Sequence, residues 1–245
     1  MKKLLIIVAT VWLVLGVSYG ASAWIYVPGQ GDTGWQTYTY TAGPGGFNGT
    51  AGFVSSNAVD NFAYSELLLD NLRGGGGTNL SFETGLTGYA FVDAPPQRSD
   101  VFTMDSLTAI SYNAYTATNG TYFADLRSLY LNNFVSHWGV PTSLFTNAYG
   151  QPGTTGAILE KGVILAAGAQ FSFDWAFLSS DTAPGDFALF YLKDASGAIV
   201  PTGLAQTGTA PAVPLPPSVL LLGSGLLGLL GLGWRGARGG LASRR

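Results

Sequence analysis

The stretch Gln170-Phe171-Ser172-Phe173-Asp174-Trp175-Ala176-Phe177-Leu178 decides the fold. On an extended chain Phe171, Phe173, Trp175 and Phe177 fall on one side, and Ser172, Asp174 and Ala176 on the other. Strict alternation of aromatic with small or polar residues is the mark of a half-buried β-strand. A helix would gather apolar residues at spacings of three and four instead.

Working outward, residues 157–165 read as a short apolar strand and residues 187–192 as the next strand. Residues 107–115 alternate as one strand, with Leu107, Ala109 and Ser111 against Thr108, Ile110 and Tyr112. Residues 78–91 carry Leu80, Phe82, Leu86, Tyr89 and Phe91 and read as a strand interrupted at Gly85 and Gly88. Asn119-Gly120 is a hairpin signal after the strand at 107–115. Residues 122–138 fit two patterns. Ala124, Leu126 and Ser128 alternate with Asp125 and Arg127, whereas Phe123, Leu126, Tyr130, Phe134 and Trp138 would line a helix. The strand is the expectation for the start of this stretch. Glycine clusters at 43–46, 74–77 and 151–153 mark loops inside one domain, because strand-length apolar runs flank each.

Composition agrees. Charged residues are 10% of the 245, aromatics 13%, and there are 35 glycines. Tight turns need glycine, and aromatics suit pleated surfaces. The net charge of −3 hides a partition. Lys2, Lys3, Arg235, Arg238, Arg244 and Arg245 sit at the ends, while all 14 acidic residues lie between Asp32 and Asp194. Against them stand five basic residues, which leaves the body at −9. That charge disfavours a nucleic-acid partner. With no cysteine there is no disulfide framework and no thiolate chemistry.

The two ends carry targeting patterns. Lys2-Lys3, an apolar run from Leu4 to Leu15 and a small-residue site at Ala21-Ser22-Ala23 make a signal peptide, with cleavage leaving Trp24 first. At the other end come Val213-Pro214-Leu215-Pro216-Pro217, the uncharged run 218–234, and a tail with Arg235, Arg238, Arg244 and Arg245. As a helix that run spans roughly 25 Å, enough for a thin bilayer. Trp234 then sits at the interface and the arginines stay cytoplasmic, which puts the body outside. A plain membrane anchor is the competing reading. The prolines argue against it, because they hold the preceding chain extended, as a protease requires.

The order of Val213-Pro214-Leu215-Pro216-Pro217, the leucine- and glycine-rich run and the terminal arginines resembles a PEP-CTERM sorting signal. The family's usual Val-Pro-Glu-Pro is altered here, with Leu215 in place of Glu. The resemblance implies an exosortase as processing partner besides signal peptidase. It also implies transient anchoring in the inner membrane, then display on the cell surface or in the extracellular matrix of a Gram-negative bacterium that makes exopolysaccharide. Residues 171–190 resemble a segment of β-sandwich domains in bacterial surface proteins with interchangeable anchors. That likeness implies two strands joined by a loop holding Asp181 and Asp186, and a fold that is all-β, a β-sandwich of jelly-roll type. The expected layout is a signal helix at 1–23, the sandwich at 24–205, a linker with the sorting motif at 206–218, a transmembrane helix at 219–234 and a basic tail at 235–245.

Catalytic chemistry finds little support. The single histidine, His137, would have to serve any serine triad, with Ser136, Ser143 or another serine as nucleophile and one of many aspartates, and no nucleophile elbow is present. It also excludes a histidine-rich zinc site. Glu66, Glu83 and Glu160 sit in no glycosidase motif, with Glu160 expected at a strand edge. Asp174, Asp181 and Asp186 are candidate calcium ligands by their hard oxygens, though aspartates in loops also cap turns. Tyr38, Tyr40, Tyr112 and Tyr115 fit sugar stacking or core packing equally. The sequence thus leaves three readings: a non-catalytic matrix-associated surface protein, a carbohydrate- or calcium-dependent adhesin-like module, and a secreted hydrolase.

Overall fold

The computed structural model describes residues 24–58, 65–76, 80–91, 101–108, 114–128, 144–181 and 184–210. Ala21, Ala23, the sorting motif, the apolar run, the basic tail, Tyr112, Ser136, His137 and Ser143 lie outside these residues. Among the described residues the regular elements are fourteen strands: β1 Ile25–Val27, β2 Gly31–Asp32, β3 Gln36–Thr41, β4 Phe47–Asn57, β5 Ser65–Arg73, β6 Ala90–Phe91, β7 Val101–Met104, β8 Ser106–Thr108, β9 Ala114–Thr116, β10 Phe123–Arg127, β11 Thr155–Leu165, β12 Gln170–Ser179, β13 Phe187–Asp194 and β14 Ile199–Thr207. The chain is all-β there, as its sequence predicts.

Two six-stranded sheets make a sandwich. Sheet A runs β1-β14-β13-β4-β11-β6, and sheet B runs β2-β12-β5-β10-β7 with β3 also on β12. Long strands cross between the sheets four times from β4 to β13, after which β13 and β14 pair within sheet A. β4 is in A, β5 and β10 in B, β11 in A, β12 in B and β13 in A. Each change presents one face of a strand to the opposite sheet. Phe171, Phe173 and Phe177 of β12, Leu67 and Leu69 of β5, and Phe53 and Phe190 of sheet A meet there with at most 1% exposure. Phe173 is central, with ring centroids 4.9 Å from Phe53, 5.0 Å from Phe190 and 5.3 Å from Tyr38.

Outward positions are buried too. Val54, Ile158, Leu189 and Tyr191 on the outer face of sheet A lie under Phe145, Leu144 and Trp24. Leu68, Phe123, Ala176 and Leu178 on sheet B lie under Leu107, Tyr115 and Trp35.

Three expectations are corrected. Residues 80–89 are turns, not strand, and only β6 pairs, at Leu159 and Glu160. Phe82 takes φ 60°, with Gly85 and Gly88 also positive, so this segment buries Phe82 and Tyr89 from a folded-back path. Leu107 and Tyr115 belong not to one strand but to β8 and β9, which pair antiparallel with each other, Leu107 opposite Tyr115. The strands flanking Asn119-Gly120 do not form a hairpin. β9 pairs with β8, whereas β10 pairs with β5 and β7. The strand at the start of 122–138 is present as β10, and its remainder after Ser128 lies outside the described residues. β14 continues through Thr207, past the expected boundary at 205.

One row across sheet A shows how glycine shapes the outer face. Tyr191 on β13, Gly52 on β4 and Glu160 on β11 are mutual register partners. A Cβ at Gly52 would stand 2.0 Å from Tyr191 Cζ. The ring therefore lies flat across the middle strand and donates to Glu160 Oε1 at 2.5 Å. Lys193 Nζ approaches the same oxygen at 2.6 Å. Glu160 is a mid-strand group, not an edge one. We expect Gly52→Ala to lower unfolding free energy by about 1–3 kcal/mol, the range for overpacking. Urea denaturation of the variant checks this, with an unchanged midpoint as the contrary result.

Candidate functional site

The polar outer face of sheet B is held by two carboxylate networks. Asp174 on β12 and Asp70 on β5 are direct register partners, an unfavourable placement for like charges. Donors resolve it. Asp174 accepts from Thr37 Oγ1 (2.7 Å), Asn71 Nδ2 (2.8 Å), Thr118 Oγ1 (2.9 Å) and Arg73 Nη2 (3.0 Å). Asp70 accepts the backbone N–H groups of Asn71 (2.6 Å), Thr118 (2.6 Å) and Asn119 (2.8 Å). Burial pushes Asp70 above the ordinary carboxylate value in spite of these bonds. Burial acts the same way on Asp174. There the donors Asn71, Thr37 and Thr118, with the Arg73 charge, outweigh it and hold the group low. Asn71 fits the shift in register here because asparagine tolerates its φ of 50°. The arrangement fastens the 117–122 loop to the sheet. Glu83 Oε1 completes it by accepting from Thr121 N (2.8 Å) and Tyr122 N (3.0 Å). Gly120, at φ 81°, leaves room for that carboxylate, since a Cβ there would lie 2.3 Å from Glu83 Oε1.

The second network is more deeply buried. Arg127 Nε lies 2.9 Å from Glu66 Oε1, and Arg127 Nη2 lies 2.9 Å from Asp125 Oδ2. The guanidinium carbon stands 4.9 Å from the centroid of the Phe102 ring. One cation thus serves two carboxylates that are 3% and 0% exposed. Burial, then the Asp125 charge, raises Glu66 to about 8, while Arg127 opposes the rise. Burial also raises Asp125, with Arg127 again opposing. Sequence reasoning flagged Glu66 but not Asp125 or Arg127, whose alternation signalled only a strand.

Lys161 is a further unexpected group. It occupies an inward position on β11 between Leu159 and Val163, with its ammonium 4.2 Å from the centroid of the Tyr89 ring. Burial lowers its pKa. β6 covers β11 over only two residues, and an inward charge beside such an edge discourages pairing with another chain. A cavity of about 510 Å³ opens beside it, walled largely by Gly49, Gly75, Gly76, Gly88 and Gly162.

Three of the four candidate sugar-stacking tyrosines, those among the described residues, serve packing. Tyr38 and Tyr40 lie against the inter-sheet core, and Tyr115 is 3% exposed beneath Trp35, whose ring meets it edge-on. The three candidate calcium ligands separate. Asp174 belongs to the network on the outer face of sheet B, whereas Asp181 and Asp186, 7% and 2% exposed, flank the turn from β12 to β13. Among the described residues no three acidic or histidine side chains gather as a metal cluster. Trp24, the first described residue, meets Phe187 edge-on and covers Gly203, where a Cβ would stand 2.2 Å from Trp24 Cε2.

The Glu66 shift fixes a sign for pH dependence. A carboxyl raised on folding gives stability that is complete below the ordinary value of 4.5 and is lost as pH climbs through the raised one. Glu66→Gln keeps a neutral side chain at every pH. Thermal melts from pH 5 to 9 should therefore show a smaller alkaline loss of Tm in this variant than in the parent. Parallel curves would contradict it.

No family model matches this chain, and no curated protein or solved structure matches it.

Proposed function

We propose that this is a non-catalytic surface protein, exported through its signal peptide and released from a transient inner-membrane anchor by an exosortase. It then resides on the cell surface or among extracellular polysaccharide. The observation that carries the reading is the ordered C-terminus: Val213-Pro214-Leu215-Pro216-Pro217, then an uncharged run to Trp234, then four arginines. The Ala21-Ser22-Ala23 site at the other end of the chain supports the same topology from independent residues.

The fold is compatible with this route. The two-sheet connectivity, with long strands alternating between sheets, supports a jelly-roll reading of the sandwich. β1 pairs parallel to β14, Ile25 beside Ala205 and Val27 beside Thr207. The strand that follows the signal site therefore lies next to the strand that precedes the sorting motif. Gly208 N donates to Val27 O at 2.9 Å, and the Tyr149 side chain donates through Oη to Thr209 O at 2.6 Å, so hydrogen bonds hold the chain as far as Thr209.

Intact-mass measurement of the protein recovered from the surface or extracellular fraction tests the proposal. The expected product starts at Trp24 and lacks the residues beyond the 213–217 motif. A mature chain ending at Arg245 would overturn processing and leave a plain membrane anchor. Replacing both Pro214 and Pro216 with Ala should slow release and enrich the membrane-bound form.

A further inference from the structure

The interior of the sandwich changes character at one end. Along β4 the inward positions run Ala51, Phe53, Ser55, Asn57, and along β11 they run Leu159, Ala157, Thr155. β5 ends the same way at Ser65 and β12 at Ser179, with Ser128 following β10. These residues are 0–1% exposed. Ser55 Oγ donates across the gap to Ser65 O at 3.2 Å, and Ser65 Oγ lies 3.1 Å from Ser128 Oγ, so the two sheets meet here through hydroxyls.

The last row of sheet A gathers oxygen atoms. Asn57 and Thr155 are register partners on β4 and β11. Asp186 stands just before Phe187, which pairs with Ser56 and Gln206, so the row beyond that one, at the strand ends, is Thr207, Asp186, Asn57 and Thr155. Thr207 N donates to Asp186 O at 2.8 Å, and Thr207 Oγ1 accepts from Gly185 N at 2.8 Å. From sheet B, Asp181 lies two residues beyond Ser179, whose Oγ accepts from Asp181 N at 3.1 Å. The Thr155 hydroxyl is fully buried and has no hydrogen-bond partner. A buried hydroxyl in that state costs free energy unless something coordinates it.

We propose that this end of the interior is a calcium site, with Asp181 and Asp186 as carboxylate ligands and Asn57 Oδ1 and Thr155 Oγ1 as neutral oxygen ligands. The donor set is oxygen only, which selects a hard cation over zinc or copper. Calcium takes six to eight oxygens in flexible geometry, whereas magnesium demands a near-ideal octahedron and retains water. Backbone carbonyls or water would complete the shell. Two carboxylates balance one divalent charge. The ligands come from both sheets, so the ion would clasp the two together at this end.

Calorimetric titration and thermal melts of the full chain in detergent, stripped with EDTA, test the site. Extracellular calcium modules bind with dissociation constants on the order of 10⁻⁴–10⁻³ M, so millimolar calcium should raise Tm by several degrees over potassium chloride of equal ionic strength. Asp181→Asn and Asp186→Asn should weaken calcium at least tenfold. Thr155→Val should weaken it severalfold while the EDTA-treated chain keeps its Tm. Asp174→Asn, outside the site, should bind as the parent does. Absence of a calcium-specific shift would overturn the proposal, as would parental affinity in both Asp186→Asn and Thr155→Val. Should Asp186→Asn fail to fold, terbium luminescence of Thr155→Val against the parent decides, equal signals refuting the site.

Discussion

Everything in this sandwich is referred to the side that Phe173 faces. Its ring touches Phe53, Phe190, Phe171 and Tyr38, from both sheets and from three strands besides its own. Strand periodicity admits no partial adjustment. A one-residue slip of β12 would turn its four aromatics outward and bring Ser172, Asp174 and Ala176 into the core. Pairing of β12 with β3 and β5 is thereby fixed, and with it the positions of Asp174 opposite Asp70 and of Leu178 opposite Glu66. The polar networks on the outer face exist because the inner face leaves only one register.

The outer faces impose a second constraint. Leu68, Ala176 and Leu178 point away from the inter-sheet core and are still buried, so each sheet needs a cover. β8 and β9 with Trp35 cover sheet B, and the 144–153 segment with Trp24 covers sheet A. Packing of large rings on the outer face of sheet A requires missing side chains beneath them. Gly52 lies under Tyr191 and Gly203 under Trp24, so the high glycine content does more than supply turns.

That division explains what could be read from the chain. β11, β12 and β13 are legible because alternation and apolar runs are properties of one segment. β4 is not, since Asn48-Gly49-Thr50-Ala51-Gly52 has small residues whose purpose lies on other strands. β5 is masked by consecutive leucines that face opposite sides, because both sides are buried. Residues 80–89 mislead in the other direction. Their apolar density signals strand, but burial is reached through turns at Phe82, Gly85 and Gly88. At the polar end, Asp181 and Asp186 stand out by their position beside two obvious strands. Asn57 and Thr155 join them only through a pairing between residues 98 positions apart, which no local pattern encodes.

The charge pattern acquires a different meaning in three dimensions. A body of −9 suggests an acidic exterior, yet Glu66, Asp70, Asp125, Glu160, Asp174, Asp181 and Asp186 are all buried. Carboxylates are seldom buried without strong partners. Here Asp70 takes the N–H groups of the 117–122 loop, Glu160 ties Tyr191 and Lys193 across a glycine, and Glu66 and Asp125 share Arg127. A chain with no cysteine has no covalent cross-link to hold long loops on a sheet. Charge-assisted hydrogen bonds are roughly twice as strong as neutral ones, and several converge on Asp70 and on Asp174. The acidic residues act as the fasteners of a domain without disulfides, and the low count of basic residues follows, because most of the donors they use are backbone N–H groups, hydroxyls and amides.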